Sequence, residues 1–92
     1  MEKAILVGLS ITNIVDSQKS MAELASLAEA CQVEVIDQMI QRADSPTANY
    51  YIGPGKVEEL KQLCATLEAD LVIFDDELSP SHIRNLEKKL DI

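Results

Sequence analysis

Ninety-two residues fit one small domain, or a piece of a larger one, that buries roughly 60–65% of its unfolded surface and folds with little margin. Apolar residues make up 47% of the chain, yet there is only one Phe, with two Tyr and no Trp, so the core must be aliphatic. A net charge of −8, from 16 acids against 8 Lys plus Arg, argues against broad, sequence-independent nucleic-acid binding, which needs several phosphates neutralised at once.

The chain opens on 3-KAILVGLS-10, a nearly continuous aliphatic run of the kind found in a strand covered on both faces. A loop is expected over 11–19. Ser20 with Glu23 forms a capping-box pattern for a helix start. Behind it Met21, Leu24, Leu27, Ala28 and Cys31 recur at helical spacing. The run 33-VEVIDQMIQR-42 alternates loosely and reads as a second strand. The loop 43-ADSPTAN-49 is too short for a helical crossover, which takes a dozen or more residues. The short run 50-YYI-52 is therefore expected to be an antiparallel partner or a displaced edge segment.

Pro54 suits the first turn of a second helix, because the missing N–H is unpaired there in any case. Val57, Leu60, Leu63, Cys64 and Leu67 give that helix one apolar stripe. The run 70-DLVIFDDE-77 reads as another doubly buried strand ending in three acids. Ser79 and Pro80 mark the cap and first turn of a third helix, with Ile83, Leu86 and Leu90 as its stripe. A further strand is expected to begin at Asp91-Ile92, so the chain reads as cut from something longer. The expected fold is α/β: an open, mostly parallel sheet of about four strands with helices on both faces.

Cys31 and Cys64 lack any metal or redox spacing and read as free, buried thiols in a reducing compartment. No basic-then-apolar leader precedes the first strand, and its apolar run is far short of the roughly 20 residues of a membrane span. A cytoplasmic protein is expected, with neither membrane nor DNA as partner.

The stretch 53-GPGKVEEL-60 resembles a phosphate loop at first sight. It fails as one. Gly53 and Gly55 are two apart rather than five, and Val57 stands where a P-loop has Ser or Thr to bind Mg²⁺. A dinucleotide fingerprint fails as well, because Glu58 occupies the position of its third glycine. What remains is a strand-to-helix turn whose amides near Gly55 and Lys56 favour an anion. Lys56 itself opposes the helix dipole, by about 0.3–1 kcal/mol, unless an acid such as Glu58 or Glu59 offsets it. Asp75, Asp76 and Glu77 lie at the C-terminal end of a strand, where open α/β sheets bind ligands. They are read either as a turn that bonds Arg84 or Lys56, or as Mg²⁺ ligands of a small phosphate- or nucleotide-binding domain. His82 with Ser79 and Ser81 lacks a nucleophile motif and is expected at the surface. Arg42, ending the second strand, is expected on the same sheet edge as Lys56 and the acids.

Taken in order, 51-YIGPGKVEELKQL-63 and 69-ADLVIFDDELSPSHIRNLEKKL-90, with AILVGLSI at the start and Gln41-Arg42 closing the second strand, closely resemble the N-terminal domain of the HflX family of GTPases. The resemblance covers nearly the whole chain. His82 departs from it, since the family often has Gln there. The resemblance implies a ribosome-associated cytoplasmic GTPase that binds chiefly the large subunit, some members splitting ribosomes under stress. It also implies a following helical hairpin and a GTPase domain with its own GTP and Mg²⁺ site. No cofactor is then expected in these 92 residues. The matching positions are Tyr51, Gly53, Gly55, Lys56, Asp75 to Pro80, Arg84 and Asn85. They carry no implied catalytic role, only contact with the ribosome or neighbouring domains. An alternative reading makes the chain an oligomerisation unit with an unpaired sheet edge.

Overall fold

A computed structural model describes residues 1–92. Six elements alternate: β1 (Lys3–Ser10), α1 (Ile14–Ala30), β2 (Glu34–Arg42), α2 (Pro54–Leu67), β3 (Leu71–Phe74) and α3 (Pro80–Leu90). The three strands form one parallel sheet in the order β2-β1-β3. From β1 the chain first crosses to one side and then to the other. Right-handed crossovers in opposite directions place their helices on opposite faces of a sheet.

The alternation along β1 shows the two faces. Ile5 and Val7 join Ile52, Val57, Leu60, Cys64, Leu86 and Leu90 in the main core cluster, on the α2 and α3 side. On the other face Gly8 lies against Met21 of α1. A Cβ built on Gly8 would stand 2.9 Å from the Met21 sulfur, so this glycine is what admits α1 to close range. Ala4 to Val7 are wholly buried, as expected of a central strand covered on both sides.

Four departures from the sequence reading have identifiable causes. The sheet has three strands, not four. Residues 50–52 contribute only an isolated antiparallel bridge, Thr47 with Tyr51, inside a local turn. Second, α1 begins at Ile14, not at Ser20, because Asn13 caps it by accepting from the Val15 and Asp16 amides at 2.9 and 3.4 Å. Asn ranks with Ser as an N-cap, so the earlier signal wins and Ser20 becomes an interior helical residue. Third, β3 is half-buried along its whole length. It is an edge strand paired on one side only. Fourth, Cys31 is exposed, whereas Cys64 is buried. Cys31 forms the C-cap of α1 and lies off its buried stripe.

The loose alternation of β2 also has a cause. Its pairing with β1 slips between Ala4 and Ile5, whose partners are Val35 and Asp37, leaving Ile36 as an extra residue. A bulge of this kind reverses the facing of everything after it. Beyond it, Gly8 pairs with Ile40, Leu9 with Gln41 and Ser10 with Arg42. No helix is long and apolar enough to cross a membrane.

Candidate functional site

The turn that leads into α2 is held from several sides, and Tyr51 is its pivot. Its φ is +70°, a left-handed conformation that is rare for a bulky residue. The Ile52 N–H bonds the Tyr50 carbonyl at 2.7 Å, closing a three-residue turn around it. Such backbone persists only where the surroundings over-determine it. Here they do. The Tyr51 side chain is buried, and its hydroxyl donates to the Asp76 carboxylate beyond β3. Its ring meets Phe74 edge-on at 6.1 Å and His82 edge-on at 5.7 Å. Arrangements of this kind are the favoured geometry for aromatic pairs.

His82 completes the clamp. At the start of α3 its amide donates to Ser79 Oγ at 3.1 Å, and its Nδ1 accepts from the Ser79 N–H at 3.3 Å. This is a reciprocal capping box with His in the place usually taken by Glu or Gln. With Nδ1 accepting, the neutral ring carries its proton on Nε2. That nitrogen donates to the Thr47 carbonyl at 2.9 Å. His82 is thus half-buried and structural, not the surface residue expected from sequence. Asn85 adds a second tie from α3, donating to the Asn49 carbonyl at 2.9 Å.

Burial raises the Tyr51 phenol pKa above its ordinary value, helped by the hydrogen bond and charge of Asp76 and by the charge of Asp75. The same hydrogen bond, with that from the Glu77 amide, holds the Asp76 carboxyl below its ordinary value. Both Asp76 oxygens are occupied, Oδ2 by Tyr51 and Oδ1 by the Glu77 N–H at 2.7 Å. No three His, Cys, Asp or Glu side chains converge where they could hold a metal ion. Neither Arg84 nor Lys56 pairs with these acids, as the sequence had suggested they could, since Lys56 bonds Glu59 and Arg84 reaches Ser81. Asp75 extends the ladder of β3 through its N–H, which donates to the Val7 carbonyl at 2.8 Å. Arg84 lies on α3 and reaches only Ser81 Oγ, at 3.4 Å.

The two glycines differ. Neither has positive φ. Gly53 caps α2, and its N–H donates to Gln41 Oε1 at 2.9 Å. A Cβ on Gly53 would press the same Gln41 side chain at 3.0 Å. Nothing lies within 4 Å of a Cβ at Gly55. In the first turn of α2 its glycine therefore serves no packing need. Gly55→Ala is expected to raise stability by about 0.5–1 kcal/mol, by lowering the entropy of the unfolded chain. Thermal melts of the two proteins check this. A fall in stability would show that the turn depends on backbone freedom at this position.

Lys56 pairs with Glu59, one turn along α2, at 3.1 Å, so an acid does offset its place at the helix N-terminus. Glu58 instead bonds Lys89 of α3 at 2.7 Å. Arg42 is not beside Lys56. The register of β2 sets it next to Ser10, on the face that carries α1, while Gln41 turns towards Gly53 and α2. The sequence-predicted residues thus split in two. Tyr51, Gly53, Gly55, Lys56, Asp75 and Asp76 gather around one turn, whereas Arg42 lies across the sheet and Arg84 along α3. Sequence reasoning missed the roles of Gln41, His82 and Thr47. Only the Ser79–His82 spacing carried a local signal.

Against known families, residues 18–92 match the model described as GTP-binding GTPase N-terminal. The chain belongs to this family. It is an N-terminal domain of the HflX type, and its relatives agree. It is 40% identical to the GTPase HflX of Alkalihalophilus pseudofirmus, with 100% of this chain and 22% of that protein aligned. Against the GTPase HflX of Lacrimispora saccharolytica identity is 38%, over 98% of this chain and 21% of that protein. Against that of Escherichia coli it is 32%, over 95% and 20% respectively. The chain spans about a fifth of the length of these curated relatives. Among solved structures, a crystal structure of SsGBP mutation variant G235S superposes with a TM-score of 0.70 at 24% identity, over 99% of this chain and 27% of that one. That likeness speaks for the fold. No GxxxxGK[ST] pattern occurs in the 92 residues.

Proposed function

We propose that this domain acts as a contact and regulatory module of an HflX-type GTPase that associates with the large ribosomal subunit in the cytoplasm. The supporting observation is the clamped turn from Tyr51 to Lys56. Part-buried hydrogen bonds and strained backbone hold a short loop rigid there, and it carries no catalytic constellation. A rigid loop on a fixed scaffold suits recognition. GTP hydrolysis, with Mg²⁺, belongs in this reading to a separate GTPase domain, reached through a helical segment.

The free edge of β3 supports a place for more chain. Phe74, Leu78, Ile83 and Leu86 line an apolar groove of about 260 Å³ between β3 and α3. An open strand edge over such a groove favours a further parallel strand. Ile83, expected in the buried stripe of α3, is 43% exposed and lines this groove.

The test is ribosome co-sedimentation of the full-length protein over a range of salt. Lys56→Ala is expected to weaken pelleting and to lower the salt slope by about one, the signature of one lost phosphate contact. Unchanged binding and slope would leave the turn a purely structural feature.

A further inference from the structure

The sheet has a second feature at its C-terminal end, on the α1 face, away from the Tyr51 turn. An open cavity of about 340 Å³ lies between the ends of β1 and β2 and the start of α1. It is far larger than the ~10–15 Å³ that one water needs on such a measure. Ser10, Thr12, Ile14, Arg42 and Asp44 help to line it.

Ser10 points to a ligand. It is the one buried polar residue of the domain, at 4% exposure, and its Oγ takes part in none of the side-chain hydrogen bonds. No fully enclosed side-chain polar atom of the molecule lacks a partner, so Ser10 Oγ keeps some open surface, and Ser10 is one of the residues that line this cavity. A hydroxyl that is nearly enclosed and bonds nothing is worth explaining.

The surroundings favour an anion. The amides of Ile11, Thr12 and Asn13 have no partner within the protein, and they lead directly into the N-terminus of the 17-residue α1. Loop amides followed by a helix N-terminus make an anion-binding concavity. Arg42 is exposed, pairs with no carboxylate, and is in register with Ser10. A guanidinium fork suits a phosphate group. Asp44 at the rim works against a bare, multiply charged anion. It suits instead a phosphate ester with a hydroxyl beside it, from which a carboxylate accepts well.

We propose that this cavity binds the phosphate group of a phosphate ester, with Ser10, Arg42 and the loop amides on the phosphate and Asp44 accepting from a neighbouring sugar hydroxyl. The phosphate comes either from an RNA backbone or from a small phosphorylated molecule. The proposal stands apart from the ribosome reading, because it is tested on this chain with no ribosome present.

The experiment follows backbone amide NMR shifts of the 92-residue chain during titration with inorganic phosphate and, separately, with a short oligouridylate. Saturable shifts are expected at Ile11, Thr12, Asn13 and Ile14. Arg42→Gln and Ser10→Ala are each expected to weaken binding about tenfold. Asp44→Asn should tighten inorganic phosphate and weaken the oligouridylate. Response to the oligouridylate alone identifies an RNA backbone as the source. Response to inorganic phosphate alone identifies a small phosphorylated molecule. If these amides respond to neither probe, or respond equally in Arg42→Gln, the proposal is overturned. Lys56→Ala in the same titration should change nothing, which separates this site from the turn at the start of α2.

Discussion

Replacing Tyr51 by alanine is expected to cost about 3–5 kcal/mol, a large part of the stability of a domain this small. The buried ring leaves, the two edge-on aromatic contacts go with it, and the backbone stays in its left-handed turn. Tyr51→Phe isolates the hydroxyl. It keeps the ring and removes only the bond to Asp76. A hydrogen bond to a charged group is worth more than a neutral one, but Asp76 is exposed, so the loss is about 1 kcal/mol at neutral pH.

The pH dependence gives this pair its signature. Asp76 has its pKa held below the unfolded value of about 3.9, so its share of stability is complete above that pH. That share is lost as pH falls through the lower, native value. Tyr51 has its pKa pushed above the unfolded value of about 10, so its share is complete below that pH and is lost as pH rises through the native value. Urea unfolding of wild type and Tyr51→Phe across the pH range should therefore show a gap that is widest between about pH 4 and pH 10. The gap should narrow on both sides. A gap independent of pH would assign the loss to packing, not to the hydroxyl–carboxylate bond.

Gly8→Val is the second large effect. The added Cβ would meet the Met21 sulfur at 2.9 Å and its Cγ at 3.4 Å. Met21 is 1% exposed and has little room to retreat. Overpacking of this kind costs about 1–3 kcal/mol, more than the entropy gained by removing a glycine from a strand. The double variant Gly8→Val with Met21→Ala tests the cause. The cavity left by methionine should accept the valine, so the two losses should sum to more than the measured total. Strict additivity would show that the clash is not with Met21.

Much of the fold was readable because its signals are local. The aliphatic run of β1, Pro54 opening α2, and Ser79-Pro80 opening α3 each act over a few residues, and each falls where expected. The helix stripes were readable in part for the same reason, although Leu27 of the expected α1 stripe is 66% exposed and Ile83 of the α3 stripe is 43% exposed. Val57, Leu60 and Cys64 are buried, as are Leu86 and Leu90. The start of α1 was misread, since Asn13 is as good a cap as Ser20 and opens the helix earlier. Two adequate caps in tandem were resolved in favour of the longer helix.

The site was less legible. Tyr51 and Asp76 are 25 residues apart, and nothing local marks them as partners. Nothing local says that His82 reaches Thr47, 35 residues away. The bulge at Ile36 mattered most for the cations. It decides that Gln41 faces α2 and Arg42 faces α1. One residue of slip exchanges the two faces of a strand. An expected single edge carrying Arg42, Lys56 and the acids thereby became two separate places.

The sequence by itself determined the class of fold, the order of its helices and strands, and the kinship with HflX-type N-terminal domains. These depend on hydrophobic period, caps and short motifs, all of which act between near neighbours. The tertiary structure alone decided which polar groups meet. It made 50–52 a strained turn instead of a strand, locked that turn through Asp76, His82 and Gln41, and left the Ser10 hydroxyl without a hydrogen-bond partner. Those outcomes depend on sheet register and on contacts between distant segments, and no local pattern encodes either.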